Sequence, residues 1–145
     1  MEKVLISACL LGLDCKYNGG ANTLSDRVID ALKARYDLVP VCPESYGGLA
    51  APRLPSERVG ERVLAKDGGD VTAQYQKGAR AALRLARVFD CKMAILKERS
   101  PSCGHGVIYD GTFTGTLVPG DGVAAELLKA NGVAVYGEGD ILKLI

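Results

Sequence analysis

The sequence has no excess of charge, no long apolar run and no closely spaced cysteine pair, and each absence removes a class of function. Eighteen basic residues against 17 acidic ones leave a formal net charge of +1, so no global field draws nucleic acid or an anionic membrane. The apolar stretch VLISACLLG at 4–12 falls far short of the roughly 20 residues that span a bilayer, and Glu2 spoils the basic start of a signal peptide. A cytoplasmic protein with no membrane partner is expected. No C-x-x-C occurs, which argues against zinc ribbons and fingers, and bacterial ferredoxin spacing is missing too. There is no internal repeat, low-complexity segment or linker. At 145 residues, 48% hydrophobic and 24% charged, the chain suits one globular domain, residues 1–145.

What is present alternates short branched apolar runs with helical patterns. VLISACL reads as a first strand ending at Gly12. SDRVIDALKARY reads as a helix with Ser25 as N-cap and Val28, Ile29 and Leu32 on one face. DLVPVCPE is a second strand closed by Pro43. Ser45 to Gly69 is then a long polar, glycine-rich loop, a length that usually signals function. A long alanine-rich helix starts near Val71 or Thr72, with Asp70 and Thr72 as helix-start residues. CKMAILKE is a third strand. VIYDGTFTG predicts a small β-hairpin around Asp110-Gly111, GVAAELLKANG a helix stopped at Asn131-Gly132, and VAVYGEG a fourth strand followed by a last helical turn in DILKLI. This order predicts a three-layer α/β domain of Rossmann-like or flavodoxin-like type, with a mostly parallel sheet of about four strands plus the hairpin.

In an open parallel sheet, ligands bind outside the carboxyl ends of the strands. After the first predicted strand come Cys9 and Cys15; after the second, Cys42 and Glu44; after the third, Glu98, Ser100, Ser102, Cys103 and His105. Four of the five cysteines therefore gather at one sheet edge, while Cys91 opens the third strand at the other and reads as a buried small hydrophobe. Thiolates converging from three loops suit zinc, copper(I) or an iron–sulfur cluster, and dispersed single cysteines favour a cluster with three protein ligands and one open iron. The rival is thiol chemistry, with Cys103 as a nucleophile beside His105 and Cys9 or Cys15 resolving it. Glu44 is the acid/base candidate, since a carboxyl in a partly dry pocket can exchange protons near neutrality. GDGVAA lacks the third glycine and the preceding strand of a phosphate-binding loop.

The segments ISACLLGLDCKYNG, PVCPESYGGLAAPRLPSE, GGDVT, LKERSPSCG and YDGTFTG, in that order from about Val4 to Val135, closely resemble the thiouracil desulfidase (TudS) family, formerly a bacterial family of unknown function. The resemblance implies a [4Fe-4S] cluster held by Cys9, Cys42 and Cys103, with Cys15 as the alternate ligand or a near-cluster thiol. It implies Glu44 and Ser100 as catalytic residues, and Arg53, with Ser102, for the substrate. The implied activity is non-redox conversion of a thiolated pyrimidine base or nucleotide to uracil and sulfide, the substrate sulfur binding the open iron. Cluster-dependent sulfur transfer or desulfuration of tRNA thiouridine is the alternative, thiol oxidoreduction the third reading; the near-neutral charge favours a small molecule over tRNA. Lys16 and Asn18 stand where many members carry arginine and aspartate. The resemblance assigns no role to His105.

Overall fold

The computed structural model describes residues 1–145. Four parallel strands form the central sheet: β1 (Glu2–Ser7), β2 (Tyr36–Val41), and two later strands, Met93–Leu96 and Ala134–Gly137. Between them the chain lays down α1 (Asp26–Arg35), a single helical turn α2 (Pro43–Tyr46), the antiparallel pair β3 (Ser56–Val59) and β4 (Arg62–Ala65), and α3 (Thr72–Val88). After β5 (Met93–Leu96) come the hairpin strands β6 (Val107–Tyr109) and β7 (Leu117–Pro119), α4 (Val123–Ala130), β8 (Ala134–Gly137) and a 3-10 segment, Glu138–Lys143.

The sheet order is β2-β1-β5-β8. The chain leaves β1 toward one edge and, after β2, crosses back to the other side, so the strand order reverses between β1 and β5. That reversal opens a crevice at the carboxyl ends of these two strands. Val4, Leu5 and Ile6 are fully buried, as a parallel strand covered on both faces requires. Leu5, Val41, Ala94, Leu96 and Val135 pack with Ala82, Ala86, Ala125 and Leu128 of α3 and α4. Val4, Ile6, Met93 and Ile95 pack with Leu32 of α1, Leu10 and Ile141. Three layers result. Pro40 sits on β2, an edge strand, where its missing N–H costs no ladder bond.

Local signals account for most boundaries. The Ser25 side chain accepts from the Val28 amide at 3.3 Å at the start of α1, and Gly132, at φ 86, follows α4 in the left-handed region. Three expectations change. β1 stops at Ser7, and Ala8–Leu11 form a 3-10 turn instead of more strand. The stretch 45–69 is not without regular structure, because β3 and β4 pair within it, Ser56 opposite Ala65. The 107–119 hairpin turns through the seven residues between Tyr109 and Leu117, not at Asp110-Gly111 alone.

One close approach sets the site. A Cβ on Gly78 of α3 would overlap the Pro43 carbonyl, and one on Gly47 would overlap the Gln74 carbonyl. Two glycines thus let the α2 turn, which follows Cys42 and carries Glu44, lie directly on α3.

Candidate active site

A cavity of about 800 Å³ lies at the carboxyl ends of β1, β2 and β5. Cys9, Cys15, Cys42 and Cys103 all line it, and Cys91 does not. Cys9 comes from the 3-10 turn after β1, Cys42 from the residue after β2, and Cys103 from the turn after β5. All five cysteines are free thiols. Burial pushes the Cys9 thiol up, and the neighbouring Cys42 adds to the shift. Cys15 is pushed up to about 12, by burial first and then by Cys42 and Cys9. Cys103, 5% exposed, is also pushed up by burial, against a hydrogen bond from Ser7 that favours its thiolate. Cys9 and Cys15 therefore both neighbour Cys42, and Cys103 neighbours Cys9, around one space. Ser45 Oγ lies 3.2 Å from Cys42 Sγ.

Glu44, Arg53 and Ser100 meet on the same wall. The Arg53 guanidinium pairs with Glu44 Oε2 through Nη2, while Nη2 also reaches the Cys15 carbonyl at 3.0 Å and Nη1 the Ala50 carbonyl at 3.2 Å. The Ser100 hydroxyl donates to Glu44 Oε1 at 3.4 Å and accepts from the Ser102 and Cys103 amides, each at 3.1 Å. Two N–H groups aimed at a hydroxyl oxygen stabilise negative charge there, and the carboxylate on its other side is positioned to take the proton. Arg53 Nε is buried with no protein partner.

The Ser102 side chain is not part of this wall. It is 1% exposed, does not line the cavity, and its carbonyl accepts the Ala124 and Ala125 amides at 2.9 and 3.1 Å. It splices the Cys103 turn to the start of α4. His105 is also outside the cavity, with Nδ1 3.7 Å from Asp121 on the protein surface. Lys16 lines the cavity with its ammonium over the Tyr17 ring, whereas Asn18 caps its own turn by accepting from the Gly20 amide. Lining residues that sequence reasoning passed over include Ser7, Asn22, Tyr75, Lys97 and Phe113. Ser7 and Lys97 carry a usable signal, since each is the residue at or just after the end of a central strand; Phe113 carries only its place in the hairpin loop.

The family model for 2-thiouracil desulfurase matches residues 4–140. The chain belongs to this family. It is 39% identical over 150 residues to the Bacillus subtilis (strain 168) protein YbbK, described as uncharacterized, covering 95% of this chain and 97% of that one. It is also similar to the solved structure of a [4Fe-4S]-dependent thiouracil desulfidase, TudS. That match has a TM-score of 0.94 and 42% identity over 99% of this chain and 95% of the other.

In this family member, the donors fit a polynuclear cluster better than a lone ion. No three His, Cys, Asp or Glu side chains converge closely enough to share one metal ion. Soft thiols spread around a cavity can instead each take a separate corner of an iron–sulfur cluster.

Proposed function

We propose that this chain, acting as one unit over residues 1–145, hydrolyses the C–S bond of a thiolated pyrimidine base or nucleotide, releasing uracil or its nucleotide and sulfide. The carbon gains oxygen from water, the sulfur leaves as sulfide, and no electrons change hands. The observation that carries the reading is the single cavity of a family member in which four thiols face the Glu44–Ser100–Arg53 wall. Cys9, Cys42 and Cys103 would hold a [4Fe-4S] cluster, with Cys15 the alternate ligand. When bound, the cluster supplies a Lewis-acidic iron, open to solvent, that favours sulfur as a leaving group.

The protein's own part follows from the wall. Arg53 pairs with Glu44 Oε2 and fixes the carboxyl so that Oε1 faces Ser100. Glu44 takes a proton from the attacking water, directly or through Ser100, and returns it to the ring nitrogen as the C–S bond breaks. The Ser102 and Cys103 amides stabilise charge on the Ser100 oxygen during that transfer.

Anaerobic reconstitution with iron and sulfide, followed by incubation with 2-thiouracil, 4-thiouracil and 4-thiouridine monophosphate, tests the proposal. Uracil or UMP formed only by the iron-loaded protein, and lost in Cys103→Ala, supports it. A stable cluster without turnover on any of them moves the reading to tRNA thiouridine or sulfur transfer. Failure to bind a cluster overturns it and brings forward thiol oxidoreduction, for which Cys42 Sγ, 3.9 Å from the Cys15 carbonyl, supplies a neighbouring pair.

A further inference from the structure

Three non-glycine residues have positive φ: Asp90 at 54°, Arg99 at 68° and Phe113 at 58°. Two of them, Arg99 and Phe113, line the cavity. A bulky aromatic in the left-handed region is a strained outlier, and such residues persist where surrounding structure holds them for a purpose.

What holds Phe113 is visible. Glu57 of β3 is the one buried charged residue, 8% exposed, and it takes part in no ion pair with lysine or arginine. Its Oε1 accepts the Gly111 amide at 2.9 Å and the Phe113 amide at 3.1 Å. A carboxylate in that position is costly unless the loop between β6 and β7 supplies those donors. The same loop lies so close to β3 that a Cβ on Gly111 would overlap Val59. The β3–β4 hairpin therefore holds the 110–116 loop, with Glu57 and Phe113 side by side on the cavity lining. Tyr17, Tyr75 and Tyr109 also line that space, so half of the eight aromatic residues face it. Phe113 is the one among these four without a hydroxyl, and its face gains nothing from a polar partner.

We infer that Phe113 is the wall on which the flat pyrimidine ring stacks, and that Glu57 is the positioning residue that holds it there. The inference rests on the desulfidase reading and adds to it the group that recognises the ring apart from its sulfur. Stacking a base on an aromatic side chain is worth on the order of tenfold or more in affinity, judged by alanine replacement.

The test uses the cluster-loaded protein, with turnover of 4-thiouracil and calorimetric titration of uracil measured side by side. Phe113→Ala is expected to raise KM and the uracil Kd on the order of tenfold while kcat changes little. Phe113→Tyr should stay near wild type, and Phe113→Leu, which keeps bulk but loses the π face, should fall between. Glu57→Ala should copy Phe113→Ala, and Glu57→Gln, whose carbonyl can still accept both amides, should restore wild-type KM. Circular dichroism melts confirm that each variant is folded. Unchanged KM and Kd in a folded Phe113→Ala overturn the inference, as does a loss confined to kcat. If wild type binds uracil but turns nothing over, and Phe113→Ala weakens that binding, the stacking role stands while the desulfidase reading falls. If wild type binds no pyrimidine, both fall.

Discussion

Glu44 has two oxygens and two different partners, Arg53 on one and Ser100 on the other, with side chains only 15% and 10% exposed for Glu44 and Arg53. Removing its charge while keeping its shape isolates its role. Glu44→Gln is expected to lower kcat about 10²- to 10⁴-fold with bound iron unchanged, measured by single-turnover desulfuration and iron analysis on one sample. Ser100→Ala removes the hydroxyl that receives two amides, and should lower kcat by a smaller factor. Cys103→Ala should behave differently from both, reducing bound iron itself. If Glu44→Gln lost iron as well, its role would be structural and the proton-transfer assignment would fail. The partners of Glu44 stand 9 and 56 residues away in the chain. No local pattern announces them: the position after the second strand marked Glu44 as the acid/base candidate, but only the fold shows which groups hold it.

At the scale of elements, the decisive contact is the one between the α2 turn and α3. Gly78 lies against the Pro43 carbonyl with no room for a methyl group. Gly78→Ala should destabilise by about 1–3 kcal/mol through overpacking and shift the turn bearing Cys42 and Glu44. Thermal melting and iron content should therefore fall together. Ser25→Ala is the contrasting case. It removes the N-cap of α1 and should cost about 1 kcal/mol; α1 contributes no lining residue to the cavity, so turnover at room temperature should persist. A Gly78→Ala protein with normal iron content would show that the close packing does not position the site. The main helices and central strands were legible because their signals are local: apolar periodicity, a serine cap, glycine stops. The β3–β4 pair was not, because Ser56–Val59 and Arg62–Ala65 are short and rich in charge, and their strand geometry comes from pairing with each other and from burying Glu57 on one face and Val63 on the other.

For the whole molecule, acid is the informative stress. Burial works to raise the Asp121 pKa, but the Gly106 amide and the Lys129 ammonium outweigh it and hold the carboxyl below the usual range. Asp121 thereby ties the hairpin start, through Gly106 at 2.8 Å, to α4, through Lys129 at 3.0 Å. Its folded pKa lies below the unfolded value of about 3.9, so the unfolded chain binds more protons in the interval between them. The stabilisation is present above about pH 4 and is lost as pH falls through the folded pKa. Asp140, lowered mainly by the Gly137 amide, and Asp110, lowered mainly by Thr112, act in the same direction. Urea midpoints from pH 6 to pH 2 should therefore drop below about pH 4, and less steeply in Asp121→Asn. An identical slope in the variant would remove Asp121 from the account.

The order of strands and helices, and with it the gathering of Cys9, Cys15, Cys42 and Cys103 at one sheet edge, was determined by the sequence. Alternating βα units force a parallel sheet, and a parallel sheet sends every strand's following loop to the same side. Tertiary structure decided the rest. It set Ser100 against Glu44, turned the neighbouring Ser102 into the protein to receive α4, placed His105 outside, and drew Phe113 inward through Glu57, 56 residues earlier. Adjacent residues in a turn point in different directions, and which direction meets the cavity depends on packing between segments distant along the chain.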